Sequence, residues 1–172
     1  MMLFSGKEIL KACVVFIVAI GVFVKKNRGA DASLQALLKA EVYTDFARDP
    51  QLQKWYNLIK KEIEKAMELF PLHQEHYADK HVYFFNVQSP YSIISEISTI
   101  LSEQHPQDTI IVYRATEGGW KLSARNQSGR VNLNNLIRTS IHGIGSGGGH
   151  EKAAGGFTTN WDTFKTNVLA EI

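Results

Sequence analysis

A chain of 172 residues, 44% of them hydrophobic, can build one packed core, with room for an appended helical arm. Its net charge of +2 and pI near 8.6 argue against a long electrostatic groove for duplex nucleic acid, which needs a strongly basic face. A single cysteine excludes an intrachain disulfide framework and is compatible with a reducing cytoplasm.

Residues 12–24, ACVVFIVAIGVFV, form an uncharged run flanked by Lys7 and Lys11 before it and Lys25, Lys26 and Arg28 after it. A membrane span needs about 20 apolar residues, so a run this short reads as a buried element. Its β-branched content favours a strand, with Cys13 as a small buried hydrophobe; a membrane anchor is the alternative. From residue 31 to 70 the text is helical. Asp31 or Ser33 can cap a helix carrying Leu34, Leu37 and Leu38, and Asp49-Pro50 is a start signal for a second. There Leu52, Trp55, Ile59, Ile63, Ala66 and Phe70 recur at helical spacing, while Lys60, Lys61, Glu62 and Glu64 suit a solvated face.

The segment PLHQEHYADKH places His73, Glu75, His76 and His81 close together, which invites a metal hypothesis. Its His-x-Glu-His spacing matches neither zincin pattern, and Pro71 favours a loop, so a polar connector is expected. A strand follows at residues 81–87. Ser89-Pro90 is expected to open a helix with Ile93, Ile94, Ile97 and Leu101 inward. Residues 109–113 read as a buried strand, and Glu117-Gly118-Gly119 as a hairpin. The next strand, WKLSARN at 120–126, alternates with period two. Trp120, Leu122 and Ala124 share one face; Lys121, Ser123 and Arg125 share the other, expected to be exposed. Asn132 caps a helix carrying Leu133, Leu136, Ile137 and Ile141, and Asn160 caps a last one with Trp161, Phe164 and Val168. The sum is an α/β fold, a mixed β-sheet flanked by helices.

Seven of the thirteen glycines fall within residues 143–156, GIGSGGGHEKAAGG. Glycine lets backbone amides approach a ligand closely. If residues 150–154 begin a helix, the unpaired N–H groups of its first turn face that loop and favour phosphate. A flexible connector is the plainer reading of the same run. No Lys-Ser or Lys-Thr follows the glycines, which excludes a Walker loop, and the preceding helix argues against a dinucleotide fingerprint.

Taken together, LSARNQSGRVNLNNLI and GIGSGGGHEKAAGG resemble the C-terminal, DHH-associated domain of the DHH phosphoesterase superfamily, on the branch of RecJ nucleases and oligonucleotide phosphodiesterases. Ser123 and Arg125 match its Ser-x-Arg strand. Gly147, Gly148, Gly149 and His150 match its Gly-Gly-Gly-His element, and Ala153, Ala154 and Gly155 its small-residue turn. The resemblance covers residues 80–172. After an apolar N-terminal segment at 1–30, it implies a helical connector at 31–79 and a substrate-binding domain from 80 onward.

It also implies roles. Arg125 and His150 contact phosphates or a terminal nucleotide, Gly147, Gly148 and Gly149 supply backbone donors, and Ser123 and Lys121 assist. Single-stranded nucleic acid, a short oligonucleotide or a phosphorylated nucleotide is the implied partner, in the cytoplasm. In the family a separate DHH domain holds metal ions, usually manganese, and hydrolyses the phosphodiester. No Asp-His-His triplet occurs in this sequence. The expectation is therefore a binding module with no catalytic residues, metal or cofactor of its own, acting beside a separate DHH catalytic chain or a replication protein. Two other readings stay open, a non-catalytic scaffold subunit and a truncated phosphoesterase remnant. A homodimer is also open.

Overall fold

The computed structural model describes residues 34–36, 38–39, 45 and 48–172. The apolar run, the caps expected at Asp31 and Ser33, and Leu37 lie outside the described residues. Those described form two compact units, one of residues up to Glu64 with Pro90–Ile93, the other of Lys65–Ser89 with Ile94–Ile172.

In the first unit Asp49 and Pro50 start helix α1 (Pro50–His73) as their order predicts. The Asp49 carboxylate accepts from the N–H groups of Gln51 at 2.9 Å and Leu52 at 3.0 Å, filling two of the donors a helix start leaves open. Leu52, Trp55 and Ile59 are buried, whereas Leu34 and Leu38 are exposed. Lys60 and Glu64 pair across one turn at 3.7 Å on a solvated face.

In the second unit the helix ends differently from expectation. Pro71 sits within its last turn, not in a loop. The missing N–H forfeits one hydrogen bond, and Phe70, buried just before it, holds the turn against Tyr83 and Phe85. The supposed polar connector is ordered too, as β1 (Gln74–Tyr77) followed by a 3₁₀ turn (Ala78–Lys80). His76 stacks flat on Tyr83, and Glu75 pairs with Lys165. Partners distant in sequence decide this segment, so its own letters could not. Among the described residues no group of three or more His, Cys, Asp or Glu side chains is placed to hold a metal.

The remaining elements are β2 (Val82–Asn86), α2 (Ile94–Gln104), β3 (Thr109–Thr116), β4 (Gly119–Asn126), α3 (Leu133–Ile141), β5 (Gly145–His150), β6 (Ala153–Thr158) and α4 (Trp161–Glu171). The strands form one mixed sheet in the order β1-β2-β3-β4-β6-β5. Among the described residues only β2 and β3 run parallel, and α2 makes the crossover between them. Helix α2 begins at Ile94, not at Ser89-Pro90. Pro90–Ile93 belong to the first unit, with Ile93 buried, and that burial overrides the local start signal.

Each sheet face has its own cover. On one, Val82, Phe84, Ile111, Tyr113, Leu122 and Ala124 pack with Leu133, Leu136, Ile137 and Ile141 of α3 and with Trp161, Phe164 and Val168 of α4. Trp161 stacks on Tyr113 at 3.5 Å between ring centroids. Both capping asparagines act as their positions predict: Asn132 accepts from Asn135 N–H at 3.1 Å, and Asn160 from Thr163 N–H at 3.0 Å. The other face is covered by α2, and it carries the candidate site.

Candidate functional site

The site begins with an unusual strand. Residues 145–150 do not form a loop before a helix; they are β5, the edge strand of a β5–β6 hairpin that also takes up residues 150–154. The helix-terminus geometry expected there is absent. Alternation explains why: Ala154 faces the core, and Gly155 and Gly156 let strands and helices approach as no larger residue does. Glycine is required at two positions of β5. A Cβ on Gly147 would lie 2.9 Å from Ile137 Cγ2 of α3, and Gly148 has φ +151°, a conformation L side chains rarely adopt.

Register then brings the separated motifs together. Arg125 pairs with Ala153, and Ala153 with His150, so the three form one row across β4, β6 and β5. Directly opposed residues in an antiparallel sheet point to the same face. Arg125 and His150 therefore share a face, two strand spacings or about 10 Å apart at the backbone. The next row along is Ser123, Gly155 and Gly148, and the third is Lys121, Phe157 and Ser146. A cation and an imidazole thus flank a floor of small residues, Ala153, Gly155 and Gly148. Lys121 is four residues from Arg125 along β4, roughly 14 Å at strand rise, and outside this row.

The face expected to be exposed is partly covered. Helix α2 packs against β3 and β4, so Ser123 is only 6% exposed and bonds Ser98 Oγ at 2.9 Å, while Lys121 remains in solvent. Arg125 is half-buried and folded toward α2. Its guanidinium donates to Ala124 C=O at 2.9 Å, Ser95 Oγ at 3.1 Å and Ser123 Oγ at 3.3 Å. Burial pulls its pKa below the ordinary arginine value, opposed by the nearby Glu96, yet it remains a cation at any physiological pH. Burial in turn raises the Glu96 carboxyl above the usual range, against the lowering effects of its own backbone N–H and of Arg125. One Glu96 oxygen, Oε2, is buried with no hydrogen-bond partner. His150 is exposed.

The outer edge of β5 adds main-chain chemistry. Gly149 N–H donates sideways to Asn134 Oδ1 of α3 at 3.1 Å, not to β6. Strand alternation turns the Gly147 N–H to that same open side. Sequence reasoning missed Ser95, Glu96 and Asn134. The first two sit 30 and 29 residues from Arg125, and only the α2 crossover joins them to it; Asn134 carried a weak signal as a polar residue in the first turn of a glycine-flanked helix.

The fold has counterparts in known proteins. The sequence-family description of the DHHA1 domain matches residues 80–171, more than half of the chain, and the chain belongs to that family. Among solved structures it is similar to RecJ from Thermus thermophilus in complex with Mn2+, at 16% identity and a TM-score of 0.62, over 92% of this chain and 23% of that one. The pGpG-specific phosphodiesterase PggH from Vibrio cholerae is similar at 13% identity and a TM-score of 0.58, over 98% of this chain and 64% of that one. A DHH-domain structure from the s1p family of ribosomal proteins gives 16% identity and a TM-score of 0.64, over 96% and 42%. At such identities the likeness is one of fold. The chain spans about a quarter of the RecJ chain it matches. No curated protein sequence matches it. Among the described residues no helix is long and apolar enough to cross a membrane.

Proposed function

We propose that the sheet face carrying Arg125 and His150 binds a phosphoryl group of single-stranded nucleic acid, a short oligonucleotide or a phosphorylated nucleotide, without chemistry of its own. The observation that supports this reading most is the Arg125–Ala153–His150 row, in which a guanidinium and an imidazole face one small-residue floor. Arginine offers a planar donor fork suited to phosphate oxygens, and His150 adds a donor from the exposed side. Gly148 contributes by having no side chain over the floor, and Gly147 and Gly149 by the outward main chain of the edge strand. Ser123 acts from below, as the hydroxyl that holds Arg125 in place. Lys121 steers from solvent rather than touching the bound group. The module works in the cytoplasm beside a separate DHH catalytic domain, in which manganese supplies the hydrolytic chemistry.

Titration of fluorescent single strands of graded length tests the proposal. Arg125→Ala and His150→Ala are each expected to weaken binding by about 1.5–3 kcal/mol, the range for a hydrogen bond to a charged group, which is roughly tenfold or more in Kd. Parental affinity in both variants would overturn it.

A further inference from the structure

A second constellation lies at the end of the sheet where β2 and β3 begin and β4 ends. A cavity of about 260 Å³ there is bordered by Lys80, His81, Thr109, Asn126, Arg130 and Glu171. Asn126, 2% exposed, shapes it. Its Nδ2 donates to Thr109 Oγ1 at 2.8 Å, and its Oδ1 accepts from Ser128 Oγ at 2.8 Å and Gly129 N–H at 2.9 Å. Those bonds fix the turn that carries Arg130 to the cavity.

The donors around it are underused. Lys80 Nζ bonds the Ile172 carbonyl at 3.0 Å, leaving two of its three N–H groups. Arg130 bonds Ser128 through its backbone, and its guanidinium joins no ion pair among the described residues. Thr109, 1% exposed, accepts from Asn126 and keeps its own proton to give. His81 meets Asp108 through Nδ1 at 3.1 Å, which leaves Nε2. His81 also has φ 53°, and is the one non-glycine residue with positive φ among the described residues. That left-handed backbone caps the 3₁₀ turn, the His81 N–H donating to Ala78 C=O, and so sets where the ring leaves the chain.

We infer that this cavity binds a phosphoryl group, at a site separate from the Arg125–His150 row. Arg125 and Asn126 are consecutive strand residues, and alternation turns them to opposite faces of the sheet. Lys80 and Arg130 supply two cationic partners and His81 a ring nitrogen, Nε2; Glu171 is the opposing charge on the lining. The volume is just below the range of about 300–1,000 Å³ for small-molecule sites, which suits inorganic phosphate or a phosphorylated sugar better than a dinucleotide. The inference stands independently of the hairpin reading.

Amide chemical shifts of the full chain, titrated separately with inorganic phosphate and with a 5′-phosphorylated mononucleotide, test it. The Lys80, His81 and Arg130 amides are expected to move saturably, with affinity at least fivefold weaker in Arg130→Gln and unchanged in Arg125→Ala. Movement with phosphate alone assigns the free anion as the ligand; tighter response to the mononucleotide assigns the phosphorylated sugar. Cavity amides that stay still with both, or that respond equally in parent and Arg130→Gln, would overturn the inference. Failure of the hairpin reading shows instead at Ala153 and His150 and leaves these amides untouched.

Discussion

Arg125 is a held residue. Three oxygen acceptors fix its guanidinium, so binding as proposed would cost little further side-chain entropy. The cost falls on Glu96, whose carboxyl is raised mainly by burial. A raised acid binds its proton more tightly in the folded chain than in the unfolded one. Its contribution is therefore fully present below the unfolded value and is lost as pH rises through the folded value. Glu96→Gln is expected to flatten that loss. Urea unfolding should show parent and variant alike near pH 4 and the variant more stable at pH 7; a less stable variant at pH 7 would contradict the burial argument. The alternation that faces Ser123 and Arg125 together was legible in seven letters. Their partner, Ser95, was not, because no local pattern announces what packs together across a sequence separation of 30 residues.

At the scale of elements, the hairpin β5–β6 is where the letters misled. Consecutive glycines look like a loop when propensity alone is weighed, since glycine weakens strand interiors. Tertiary packing reverses that preference: α3 lies so close over β5 that only hydrogens fit beneath it. Gly147→Val should therefore overpack that contact, costing about 1–3 kcal/mol, read as a lower urea midpoint at unchanged m-value. Parental stability would mean that α3 yields freely. By contrast the starts of α1, α3 and α4 were legible, because Asp49, Asn132 and Asn160 satisfy helix donors within three residues of themselves. Strand β1 was not, since a four-residue edge strand depends wholly on its register with β2.

For the whole molecule, the inward residues of β2, β3, β4, α3 and α4 converge on one core; the sequence periodicities had picked out those of β4, α3 and α4, and β2 and β3 only as strands. What they left out was spatial order. Phe164, fully buried and tilted against Trp161, is the anchor of α4. Phe164→Ala is expected to cost about 3–5 kcal/mol by thermal or urea unfolding. A loss below about 1 kcal/mol would show that the site collapses around the gap.

The order β4-β6-β5 carries a further consequence. Of the two hairpin strands β5 leaves the ribosome first, yet among the described residues β6 is its sole strand partner. A nascent chain paused after His150 holds its glycines ready but has nowhere to lay them. Synthesis and assembly run in opposite directions here, and the row of Arg125, Ala153 and His150 comes into being only when the later strand slides in between.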